Sequence, residues 1–160
     1  MVIPENKGWK TDEYRKIYGR INHIETLLHQ HPELALQEVE TSAYIRKYLE
    51  KLGYEIVPIE PTGLIAELPS LRNREKLVVL RAEMDALPIQ EQTNLPYASV
   101  NQGCMHACGH DMILAAALIL AKIVAEEQRM QENFRSDSGS FLNLQRRLVK
   151  VQKECFRPEH

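Results

Sequence analysis

The sequence predicts an α/β domain in which a sheet is flanked by helices. Leu77 to Leu80 is an unbroken apolar run, as in a strand buried on both faces, and it stops abruptly at Arg81, Glu83 and Asp85. Ahead of it lie two segments with apolar residues at helical spacing. Behind it, the segment from Asp111 is apolar nearly all round, as in a helix packed between layers. Polar groups at the carboxyl end of a buried strand are where open α/β sheets place their ligands.

The elements follow in order. Residues 1–11 read as a polar lead-in. Asp12 is a cap for a helix whose Ile17, Ile21, Ile24 and Leu28 form one stripe, and Pro32 ends it. Glu38 to Leu52 reads as a second helix, with Tyr44, Ile45, Tyr48, Leu49 and Leu52 inward and Gly53 just past its end. Glu38 and Thr41 read as its starting pair. Tyr54 to Val57 and Gly63 to Leu68 are short strands, Gly63 marking a turn with positive φ, and Asn73 to Lys76 is a charged turn. Leu77 to Ala82 is the central strand. Residues 86–107 form a connection long enough to suggest a functional loop. A helix then runs from Asp111 to about Glu127. Ser136 to Ser140 reads as a flexible break, and Phe141 to Val151 as a basic, weakly amphipathic helix.

Composition bounds the function. With 160 residues, 44% hydrophobic and 26% charged, the chain suits one soluble domain. A formal net charge of −2 favours neither nucleic acid nor an acidic membrane surface. The apolar stretch Met112 to Ala125 is too short to span a bilayer, and the N-terminus lacks the apolar core of a signal peptide. Three cysteines, two of them beside histidines, fit metal or thiol chemistry in a reducing compartment better than disulfides. The reading is cytoplasmic.

The chemistry concentrates in Cys104, His106, Cys108 and His110. Spaced every second residue, four such donors on an extended segment span roughly 20 Å at ~3.3 Å per residue. One zinc ion cannot gather all of them. Cys108 and His110 are the favoured metal ligands, because Gly109 lets the chain turn between them and the helix behind them stabilises a thiolate. Alone, the pair could equally be a buried cysteine beside a satisfied histidine. Asp85 is a carboxylate that orients a metal ligand, or else a turn former; Glu83 could pair with Arg81; Asp111 reads as a cap, with support of a metal ligand as its alternative role. His29 and His31 read as surface histidines at a helix end.

Four segments in order, His31-Pro-Glu-Leu34, Thr62-Gly-Leu-Ile-Ala66, Arg81-Ala-Glu-Met-Asp-Ala-Leu-Pro88 and Met105-His-Ala-Cys-Gly-His-Asp111, closely resemble those of the dinuclear-metal amidohydrolases. That family includes hippurate hydrolase, N-acetyl-diaminopimelate deacetylase and indoleacetyl-amino-acid hydrolases. The resemblance covers roughly residues 14–134. It implies two divalent metal ions, zinc or manganese, that activate water against an N-acyl amino acid. It further implies Cys108 as a ligand shared between the ions, His110 as a second ligand, Asp85 in support, and Glu83 in place of a first carboxylate.

Two departures set further expectations. Ile113 stands where the family usually has histidine. After Phe134 the sequence leaves the family pattern, with no Glu-Glu pair following an apolar strand. Residues 12–134 are therefore expected to be the N-terminal portion of a catalytic domain and 135–160 a divergent charged tail, as from a shifted reading frame. The general base, the remaining ligands and the lid or dimerisation domain are expected to be absent, so the chain alone should hydrolyse little. Apolar surface on the last helix and central strand should then lie exposed. The alternatives are an inert metal-binding remnant and an interaction protein docking through Phe141 to Val151. A cysteine hydrolase using Cys108 and His110 is disfavoured, since residues two apart across a glycine rarely align for attack.

Overall fold

A computed structural model describes residues 11–69 and 78–138. The lead-in through residue 10, the Asn73–Lys76 turn, Leu77 and the predicted helix from Phe141 to Val151 lie outside them. The first helix, α1, spans Thr11–Gln30 and buries Ile24 and Leu28, with Ile17 and Ile21 half-buried beside them. The stripe predicted from spacing is the one that packs.

Helix α2 spans Val39–Lys51 and buries Ile45 and Leu49 completely. Its start differs from the expected Glu38–Thr41 pairing. Glu38 is the cap residue but makes no capping hydrogen bond with its side chain. Its buried carboxylate instead accepts the Thr62 hydroxyl at 2.6 Å, tying α2 to the hairpin beyond. Glu33 caps the helix, its carboxylate accepting the N–H groups of Glu40 at 3.1 Å and Thr41 at 2.8 Å. A carboxylate there satisfies donors that the first turn cannot and complements the helix dipole. At the other end the Leu52 carbonyl accepts the Arg129 guanidinium at 2.9 Å.

The sheet is a two-stranded antiparallel hairpin, β1 (Glu55–Ile59) against β2 (Gly63–Glu67). Leu64 and Ala66 face the core. Gly63 is not at positive φ, contrary to expectation. A Cβ there would crowd Ile59, lying 3.2 Å from both its carbonyl oxygen and its Cβ, so a larger residue would need Ile59 to shift.

The predicted central strand is the main correction. Residues 78–85 join no ladder among the described residues, and Ala86 makes only an isolated parallel bridge with Leu34. A strand exists only where a neighbour's N–H and C=O groups lie in register beside it, and β1 and β2 pair with each other and not with this run. Burial still alternates, with Ala82, Met84 and Ala86 inside and Arg81 outside. Val78 and Val79 are 48% and 49% exposed, so the run is not covered on both faces.

Helix α3 runs His110–Ser138, well past Glu127 and through the start of the expected break. Residues 128–132 hold strong helix formers and no glycine or proline, so nothing stops the helix there. It buries Leu114, Ala115, Leu118 and Ala121 in the core, against α1 and α2. The buried Tyr54 hydroxyl donates to the Ala121 carbonyl at 3.0 Å, and burial pushes its pKa up strongly. Met112, Ile113 and Ile123 are exposed, so α3 is covered on one side rather than sandwiched.

Candidate metal centre

Residues 86–107 are irregular but pinned. Leu87 and Met105 exchange backbone hydrogen bonds of 2.9 and 3.0 Å, which close the loop at its base. Ala86 N–H donates to the Glu33 carbonyl at 2.8 Å, and the Asn101 amide donates to the Pro32 carbonyl at 2.9 Å. The loop thus rests on the segment that follows α1. Inside it, the Glu91 carboxylate accepts the Ser99 N–H at 2.6 Å and the Thr93 hydroxyl. Those bonds and the one to His29 outweigh the cost of burial and hold Glu91 below its usual carboxylate range.

The chain leaves this loop through Cys108 and Gly109 into α3. Gly109 has φ +83°, a conformation that L side chains rarely adopt, and there the path turns between the two predicted ligands. Cys108 is exposed, with Sγ 3.8 Å from the Asp85 carbonyl oxygen. His110 Nδ1 lies 3.0 Å from the same oxygen and 3.3 Å from the Asp85 carboxylate. A carbonyl only accepts, so Nδ1 carries the hydrogen and Nε2 keeps a lone pair. A hydrogen-bonded Nδ1–H of this kind is the usual partner of a metal-ligating Nε2. Sequence reasoning named Cys108, His110 and Asp85, and these three residues meet. Glu83 pairs with Arg81 at 2.8 Å.

The other two donors of the motif are buried, His106 close enough to Asp111, His29, His110 and Asp85 to feel their charges. Cys104 is buried, and burial pushes its thiol pKa up. His106 is 3% exposed, and neither ring nitrogen has a hydrogen-bond partner. Burial lowers its pKa. A buried imidazole without partners costs free energy unless something occupies its nitrogens.

Sequence reasoning missed a second cluster. His29 is not a surface histidine: it is 8% exposed and held between two carboxylates. Its Nδ1 lies 2.6 Å from Asp111 Oδ2 and its Nε2 lies 3.2 Å from Glu91 Oε1. Burial alone would lower its pKa, but the hydrogen bonds and charges of Asp111 and Glu91 outweigh it and raise it. Asp111 does act at the start of α3, accepting the Met112 N–H at 2.9 Å with its other oxygen. Donor atoms of Glu25, His29 and Asp111 all lie within 4.8 Å of one another, a set that could hold a cation. Residues so far apart in sequence give no spacing signal. His31, by contrast, is exposed as expected, beside a cavity of about 440 Å³ that Leu28, Glu33 and Tyr44 also line.

Thiol, imidazole and carboxylate donors gathered where loops meet the first turn of a helix are the makings of a transition-metal site on an α/β scaffold. Residues 79–137 match peptidase family M20/M25/M40. An N-acetylcysteine deacetylase of Bacillus subtilis is 47% identical over 118 residues, covering 70% of this chain and 31% of the relative. The hippurate hydrolase of Campylobacter jejuni is 40% identical over 116 residues, 72% of this chain and 30% of the relative. The crystal structure of the Bacillus subtilis YXEP protein, a dinuclear metal-binding peptidase of the M20 family, superposes with a TM-score of 0.63. It is 44% identical and covers 71% of this chain and 32% of that one. The chain is thus similar, over part of its length, to members of peptidase family M20/M25/M40. It spans about a third of the length of the relatives it matches. Among the described residues, no helix is long and apolar enough to cross a membrane.

Proposed function

We propose that the chain carries part of the metal centre of an amidohydrolase acting on N-acyl amino acids. The observation that carries this reading is the shared contact of Cys108 Sγ and His110 Nδ1 with the Asp85 carbonyl. It gathers the exposed thiol and the imidazole at one carbonyl oxygen. Cys108 Sγ and His110 Nε2 would hold a divalent ion, and a sulfur–nitrogen pair suits zinc better than a hard cation. Asp85 orients His110 and, through its carboxylate, makes the ring a better donor. A bound ion of this kind polarises an acyl carbonyl and makes a coordinated water more acidic. The relatives named for N-acetylcysteine and hippurate support an N-acyl amino acid as the substrate class.

We place this portion of the catalytic domain in residues 12–134, with the charged segment 135–160 outside it. Among the described residues we assign no general base, and we expect the chain to bind metal with little turnover. Titration with cobalt(II) tests the pair. The wild-type chain should develop a thiolate-to-cobalt absorption band, and Cys108→Ser should abolish it. Equal binding by both would overturn the assignment, and metal-dependent amino acid release from an N-acyl substrate would overturn the expected inactivity.

A further inference from the structure

We propose that His29 is a positioning residue for the Cys108–His110 pair: it ties the first turn of α3 and the loop at Glu91 to α1, and so holds His110 against Asp85. This rests on the metal reading above. The tie is short and two-sided, at 2.6 Å to Asp111 and 3.2 Å to Glu91. Carboxylates only accept, so both ring nitrogens donate, and such charge-assisted bonds are the stronger kind. Asp111 is the neighbour of His110 in α3. Glu91 in turn holds Ser99 and Thr93, so one imidazole links both arms of the loop to the helix that presents the ligand. Tyr97 covers the ring edge-on at 5.6 Å between centroids.

The rival reading makes Glu25, His29 and Asp111 a cation site of their own. The geometry disfavours it. An ion sits about 2.0–2.2 Å from each nitrogen or oxygen ligand, which holds two ligands well over 2.6 Å apart. Here Nδ1 and Oδ2 are at hydrogen-bond distance, with a proton between them.

Cobalt(II) binding to the full 160-residue chain tests the tie. His29→Ala should weaken binding by roughly tenfold, the low end of the loss for a partner behind a metal ligand, because His29 acts on His110 through Asp111. His29→Gln, whose amide can still donate to Asp111, should lose less. The charge-transfer band at saturation should shift in His29→Ala and return towards wild type in His29→Gln, a change that lost stability alone does not produce. Binding by His29→Ala within twofold of wild type would overturn the proposal. If His29→Ala does not fold, Glu91→Ala decides, because it removes the acceptor of one arm and leaves the Asp111 arm; unchanged binding there overturns it equally. A stoichiometry that falls by one ion in His29→Ala, with the remaining site unaffected, would make the cluster a cation site and overturn the tie. A wild-type chain that binds cobalt no better than Cys108→Ser would instead locate the failure in the metal reading itself.

Discussion

At the scale of single residues, histidines 29 and 106 are buried in opposite electrostatic settings. The raised pKa of His29 means that its stabilisation is complete below the ordinary value of 6.5 and is lost as pH rises through the folded-state value. The lowered pKa of His106 works the other way: its contribution is present above 6.5 and is lost as pH falls. The difference in melting temperature between wild type and His29→Gln should therefore be largest near pH 5.5–6 and shrink above neutrality, in a thermal-melt series across that range. Tyr54→Phe removes the hydroxyl that serves the Ala121 carbonyl and should cost about 1 kcal/mol in urea denaturation. Glu33→Ala should cost about as much through the uncapped start of α2.

At the scale of elements, Gly109 is the joint between loop and helix. Gly109→Ala should cost about 1 kcal/mol or more of stability and weaken cobalt binding, since alanine resists the +83° backbone angle that turns the chain there. Both are read from one titration and one melt. The helices were legible because their signal is local: Ile24 and Leu28, or Ile45 and Leu49, recur at the helical period and are the residues buried. The strand at residues 77–82 was misread because a strand's existence depends on a neighbour that a local apolar run does not reveal. The pair Cys108 and His110 was legible because glycine separates two donors. The partnership of His29 with Asp111 was not, because it forms only when α1 packs on α3.

At the scale of the whole molecule, exposed apolar side chains recur on α3 and at residues 78–79 of the described surface. Met112, Ile113 and Ile123 on α3, with Val78 and Val79, are each 38–49% exposed. Large uncovered apolar surface promotes association. Sedimentation velocity should show concentration-dependent self-association of the chain, reduced in Ile113→Glu with Met112→Lys; a concentration-independent monomer would contradict this. The sequence foresaw this exposure, although it also expected α3 to be covered on both sides.

The pair of bonds joining Leu87 to Met105 works like a clasp on a purse. The exposed tip at Asn94, Leu95 and Pro96 can accordingly accept a peptide graft or a lengthened crest, while Cys108 keeps its address three residues beyond the seam.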